Sequence, residues 1–354
     1  MRRGTAQSGT AQGSTAQGST AQRGRVLAVL AAAVVLLFFG SILLGDYTVT
    51  IPDFFRILGG EEIPGATFIV MESKLPQAVA GALAGFAFGL SGSLFQRLLR
   101  NPLASPDIIG VNYGASAAAV TSIVAFGLSG AGVGVAAVLG ALGTAAVLYA
   151  VSMRGRSTVH ASGRLILTGI GMAAMMSALV NWLLARGNIY KAQEAMVWLN
   201  GSLNAATWDR IGALALALAV LVPAVALIVL RLRMLELGDD LAQGLGVSVT
   251  AARLAVVVAA VLLSAMATSV TGPLAFVAFL AGPLSRLLTG RRLSLAAAAL
   301  TGAALVLAAQ FVSVVLLPQL SLPVGIITGA VGAPVLIAVL VGGRRQARAV
   351  KGAS

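Results

Sequence analysis

Long apolar runs recur along the chain, separated by short polar turns. The first is Val26–Leu44, and others fall at about 76–97, 107–127, 132–152, 163–186, 209–231, 251–270, 273–289, 293–316 and 322–342, which makes ten. Runs of about 20 apolar residues can cross a hydrocarbon core roughly 30 Å thick. They are continuous and not alternating, so the pattern predicts helices and not barrel strands. The fold class expected is an all-α polytopic membrane protein with ten transmembrane helices.

The N-terminus follows a different pattern. Residues 5–24 read TAQSG TAQGS TAQGS TAQRG, four near-copies of one pentad. Small polar residues of this kind cannot bury a core, so residues 1–25 are expected to be a disordered tail. Residues 26–343 form the membrane domain and 344–354 a basic tail. Arg23 and Arg25 precede the first apolar run, as in a signal peptide. That run is long, and no small-x-small cleavage site precedes Asp46, so it reads as a transmembrane helix.

Composition agrees with the pattern. The chain has 354 residues, 58% hydrophobic and 10% charged, against about 25% charged in soluble domains. Its net charge of +13 would suit nucleic acid if the cations formed a stripe. They cluster instead at the ends of the apolar runs. With ten crossings, 19 Lys and Arg fall on the side that holds both termini, and five (Arg56, Lys74, Arg186, Lys191 and Arg210) on the other. The positive-inside rule places the first side, with both termini, in the cytoplasm. No nucleic-acid partner is expected. The absence of cysteine excludes disulfides and thiolate metal sites.

The chemistry of the spans is defined by what they lack. No Asp, Glu, Lys or Arg stands near the middle of any span, and Asn181 and Gln310 are the main polar residues inside. Ion-coupled carriers and pumps usually keep buried ionisable groups. The single histidine, His160, falls in a cytoplasmic loop, so paired haem ligands are absent. No nucleophile–base pair is visible, and the chain is not expected to be an enzyme. A phosphate-binding loop ends in Gly-Lys-Ser/Thr; the three lysines here are followed by Leu75, Ala192 and Gly352. An active transporter of this sequence must draw its energy from a partner chain. Gly81, Gly85 and Gly89 recur four apart, which lets helix backbones approach closely in lipid.

Two cytoplasmic stretches stand out. In "RNPLASPDIIG" (100–110), Asn101, Pro102, Ser105, Pro106 and Asp107 form a turn motif. Ser105 is placed to be an N-cap, Pro106 the first helical residue, and Asp107 a first-turn carboxylate. In "RLRMLELGDDLAQGLGVSVTAAR" (231–253), Leu237, Leu241 and Leu245 recur at the spacing of one helix face. An exposed amphipathic helix there suits a groove on a partner protein, or the membrane interface.

"LPQAVAGALAGFAFGLSGSLFQRLLRNPLASPDIIGVNYGAS" (75–116) resembles the signature of the FecCD-type permeases. These are membrane subunits of ABC importers for ferric siderophores, haem and vitamin B12. Four further stretches agree in order: "WLNGSLNAATW" (198–208), "LELGDDLAQGLGV" (235–247), "TGPLAFVAFLAGPLSRLLTG" (271–290) and "LPVGIITGAVGAP" (322–334). The detail near Trp198 and 235–247 looks most like permeases for catecholate siderophores such as ferric enterobactin. The resemblance implies a type II ABC importer permease with ten helices in the bacterial cytoplasmic membrane. Its implied partners are cytoplasmic ATPase subunits, a second permease subunit and an extracytoplasmic siderophore-binding protein, and its cargo is a ferric siderophore. Haem or cobalamin is the alternative cargo, and an ion-coupled carrier or ATP-independent facilitator the alternative mechanism.

The resemblance also implies site residues. Leu237, Gly238, Asp239, Asp240, Leu241, Leu245 and Gly246 fall on the family's ATPase-coupling loop, and Arg56 is the candidate for docking the binding protein. Two departures stand out. The family often reads Arg-x-Pro-Arg before its second helix, where this chain has Lys74-Leu75-Pro76-Gln77. It usually carries Pro-His in the segment where this chain has Gly282-Pro283 and no histidine. The second change is one expected of a subunit that works in a heterodimer.

Overall fold

In lipid, each backbone donor and acceptor needs a partner within the chain, and helices supply it locally. The computed structural model describes residues 8–107, 110–153, 161–290, 294–320 and 322–351, so His160 lies outside the described residues. In chain order the helices are α1 (Ser8–Leu43), α2 (Ile51–Leu58), α3 (Ala66–Phe68), α4 (Leu75–Leu98), α5 (Val111–Val124), α6 (Ala131–Met153) and α7 (Ala161–Arg186). They continue as α8 (Ile189–Leu199), α9 (Trp208–Leu235), α10 (Asp239–Gly244), α11 (Val249–Thr271), α12 (Val277–Thr289), α13 (Leu295–Phe311) and α14 (Val324–Lys351).

Among the described residues, seven helices are long and apolar enough to cross a membrane. Three shorter apolar helices, Val111–Val124, Val277–Thr289 and Val324–Ala338, complete the ten crossings expected. The crossing part of α1 is Gly24–Leu43. Helical backbone also reaches back to Ser8, through most of the repeat that composition assigns to a tail.

Helix α4 occupies the middle of the bundle. Its apolar window is 78% buried, against 17% for α7 and 22% for α9. It packs against α13, α11, α12 and α9. Its glycines make this possible. A Cβ on Gly85 would sit 2.5 Å from the carbonyl oxygen of Gly302 on α13. One on Gly89 would run into the backbone of Ala298 and Ala299 on the same helix. The regular glycine spacing therefore marks a seam where two backbones touch, although Gly81 meets the side chain of Leu203 instead.

Proline shapes the outer end of α4. Pro76 donates no N–H, and its ring excludes the carbonyl four residues back. The chain widens immediately before it into a π-helical stretch, Ile69–Lys74, in which the N–H of Leu75 bonds to Val70. Lys74 leaves this turn buried, and its ammonium donates to the carbonyls of Ile42, Leu44 and Tyr47. The carbonyls of Ile42 and Leu44 lie at the C-terminal end of α1, where helical acceptors lack partners, and that of Tyr47 in the loop that follows. One lysine thus caps α1 and fastens it to the central helix.

Gly89→Leu is expected to destabilise the bundle by at least the ~1–3 kcal/mol typical of overpacking. Gly143, whose Cβ would meet nothing within 4 Å, is the control, and Gly143→Leu should behave as wild type. Thermal denaturation of both detergent-solubilised variants, followed by size-exclusion chromatography, checks this.

Candidate functional site

At the cytoplasmic end, α4 carries Arg97 in its last turn and is followed by Arg100. Arg100 has a left-handed backbone (φ 49), unusual outside glycine. It turns the chain out of the helix, and its guanidinium donates to the carbonyl of Leu235 at 2.6 Å. Asn101 then accepts the N–H of Leu103 on its side-chain oxygen at 2.9 Å and the N–H of Ala104 on its carbonyl at 3.1 Å. This Asx turn carries the chain across Pro102, which has no donor of its own.

The sequence expectation for the next residues is corrected. Ser105, Pro106 and Asp107 do not open a helix: α5 begins at Val111, after Gly110 with φ 91. Gly110 and Val111 bond back to the carbonyls of Asp107 and Pro106, both at 3.2 Å. The carboxylate of Asp107 is taken by a residue further on. The side-chain amide of Asn112 donates to Asp107, and its oxygen accepts from the buried hydroxyl of Ser264 on α11 at 3.1 Å. Burial pushes the carboxyl of Asp107 up to about 7.

Asp107 and Asn112 face a cavity of about 770 Å³. Tyr113 and Ser116 continue the α5 wall, α7 contributes Asn181, and Phe276 lies opposite. Phe276 is also left-handed (φ 64) and meets Phe279 edge to face at 6.3 Å. Helix α12 has only 13 residues, about 20 Å of rise. It is too short to cross alone, so the irregular backbone at 272–276 reaches into the membrane. Such backbone is tolerated where it lines a cavity within protein.

The residues that the resemblance assigns to a coupling loop, 237–246, lie together on the cytoplasmic side. The helix there is shorter than the leucine spacing predicts. Only Leu241 is inside α10, with Leu237 before it and Leu245 at its C-cap. Gly238 (φ 119) and Gly246 (φ 79) bracket it, because each turn needs a left-handed residue. Even so, Leu237, Leu241 and Leu245 are each 61% exposed, while Ala242 faces inward. Asp240 is exposed, but Asp239 is engaged: the guanidinium of Arg253 on α11 donates to both its oxygens, at 2.8 and 2.9 Å. Glu236 is held by Arg97 through two bonds of 2.7 and 3.2 Å. Ion pairs this close to the surface contribute about 0.2–1 kcal/mol each, so they orient the segment more than they stabilise it.

At the outer end, Arg56 lies in the last turn of α2 and is not free. It makes a two-pronged contact with Glu61, at 2.8 and 2.7 Å, and lies 3.6 Å from Asp53. The hydrogen bond that Arg56 donates to Glu61, followed by the charge of Glu61, raises the Arg56 pKa. Three of the motif stretches also converge here. Ser202 donates to the carbonyl of Thr271 at 2.8 Å, and Gly325 to that of Gly201 at 3.0 Å.

The first departure from the family pattern has a structural partner, and so does the proline of the segment that lacks the histidine. Gln77, where an arginine is usual, accepts from the amide of Gln310 at 2.7 Å, a neutral pair joining α4 to α13. Pro283 deprives the carbonyl of Phe279 of its helical donor, and the buried amide of Gln96 on α4 replaces it at 3.0 Å. Gly282 leaves the room that Gln96 needs. Sequence reasoning missed Gln96, Arg97 and Arg253. The orphan carbonyl at Phe279 is deducible from Pro283, but its donor is not, and the arginines read only as topology signals.

Comparison with known proteins agrees with this architecture. Residues 33–342 match the model of the FecCD transport family. The chain is 38% identical, over 84% of its length and 89% of the relative's, to the ferric enterobactin transport system permease protein FepG of Escherichia coli K12. It is 32% identical to the Fe(3+)-citrate import system permease protein YfmE of Bacillus subtilis 168, over 89% and 95% of the two chains. Among solved structures it resembles an inward-facing metal-chelate type ABC transporter, with a TM-score of 0.77, 26% identity, and 90% and 99% of the two chains covered.

Burial of Asp107 has a consequence for pH. Its folded pKa stands above the unfolded value of 3.8, so the folded state holds the extra proton between about pH 4 and pH 7. The proton's contribution to stability is present at low pH and is lost as pH rises through 7. Melting temperature is expected to fall between about pH 4 and pH 7 in wild type and to level off above that, and to fall less steeply in Asp107→Asn.

Proposed function

Because the chain belongs to the FecCD transport family, we propose that it is the membrane permease subunit of an ABC importer that carries a ferric siderophore into the cell. The observation that carries this reading is the extent of the match: it runs from residue 33 to 342, and relatives named for ferric enterobactin and Fe(3+)-citrate align over most of both chains. The protein sits in the bacterial cytoplasmic membrane with both termini inside. ATP is hydrolysed on partner subunits, a second permease completes the pathway, and a binding protein delivers cargo from outside. The chain makes and breaks no covalent bond.

The assignment of residues follows the geometry. The ATPase docks on Leu237, Leu241 and Leu245, whose exposure on the cytoplasmic side supports a protein contact. Apolar anchors of this kind carry much of an interface's energy when they enter a pocket. Arg56 meets the binding protein by exchanging Glu61 for a carboxylate of the partner. The cavity beside Asp107, Asn112 and Phe276 forms this subunit's part of the pathway.

Leu241→Glu tests the docking assignment. Membrane content should be unchanged, the ATPase should no longer co-purify, and uptake of radiolabelled ferric enterobactin should fall about tenfold or more, as expected for loss of a ~2 kcal/mol anchor. Deletion of 238–246 should do the same. Normal uptake in either variant would remove the assignment.

A further inference from the structure

The docking segment is joined to the bundle by little besides three guanidinium groups. Its helix α10 buries only Ala242 among its side chains, and the glycines at its two ends, Gly238 and Gly246, have open space around them. Left to those joints, α10 would pivot when pushed. Arg100 holds the carbonyl of Leu235, Arg97 holds Glu236, and Arg253 holds both oxygens of Asp239. Arg97 lies in the last turn of the central helix α4, Arg100 just beyond its end, and Arg253 in α11.

Helix α11 also reaches the cavity. Eleven residues beyond Arg253, at a rise of about 1.5 Å each, Ser264 donates to Asn112, and Asn112 donates to Asp107 on the cavity wall. A continuous path therefore runs from Asp239 through Arg253, the body of α11, Ser264 and Asn112 to Asp107. Arg100 offers a second route, since the turn that follows it, 101–107, ends at the same carboxylate.

We propose that Arg253 is a positioning residue that locks the docking helix to α11, so that movement of the ATPase turns α11 and the cavity wall and does not merely swing α10 on its glycines. The proposal rests on the reading of the chain as an ABC permease. The pair is half exposed, with side-chain exposures of 43% for Arg253 and 32% for Asp239. Its loss should therefore leave stability almost unchanged. A merely structural role would appear in the melting temperature; a positioning role appears in the efficiency of coupling.

The experiment uses the complete importer in proteoliposomes, with ferric enterobactin as cargo and transport and ATP hydrolysis measured together. Arg253→Gln and Arg253→Met should keep the ATPase bound, melt like wild type and still hydrolyse ATP. Cargo moved per ATP should fall about fivefold or more, the usual scale of a coupling free energy. The charge-exchanged double variant, Arg253→Asp with Asp239→Arg, should recover most of the ratio. An unchanged ratio in both neutralised variants would overturn the proposal, as would loss of the ATPase from the complex, since the pair would then serve docking. Failure of the permease reading looks different: the wild-type chain itself would show no ATP-dependent transport.

Discussion

The contact between the backbones of α4 and α13 is the constraint on which the rest of the molecule hangs. Glycines at 85 and 89 let two helices meet without side chains between them. A helix held this closely can stand in the middle of the bundle, surrounded by α11, α12 and α9 as well. Helix α4 then serves each level of the membrane in turn. Lys74, just before it, caps α1 at the outer end, Gln96 repairs α12 further in, and Arg97, with Arg100 just beyond the helix, holds Leu235 and Glu236 at the cytoplasmic end.

Proline and lipid together require strict accounting of carbonyl groups. At Pro76 the chain answers by widening into a π turn. At Pro283 it answers with a side chain from another helix. The first remedy is local, and the second ties two helices together. Gln77, which departs from the family pattern, and Pro283, which keeps its proline, both fall at joints between α4 and its neighbours.

Much of this is legible in the sequence, because hydropathy and charge are local properties. The ten apolar helices and the exposed leucines at 237, 241 and 245 all follow from short windows. The start of α5 is misread for an instructive reason. Ser105 and Pro106 make a valid capping signal, but Asn112 claims the carboxylate of Asp107 from five residues away and holds the turn open. The glycine spacing announces a close approach without naming α13. Pairs such as Gln96 with Phe279, 183 residues apart, have no sequence signal at all. Arg253 and Asp239 are visible as charges, and only the fold reveals that they belong to each other.

Arg56 carries a thermodynamic consequence for anything that binds outside. It already makes a full two-pronged contact with Glu61 and has Asp53 beside it. A carboxylate arriving on a partner must displace one that is in place, and the released Glu61 must return to water. Charge gained across such an interface is matched by charge lost within it. The strength of that contact is then set by fit, and added salt, which weakens both pairs alike, should change it little.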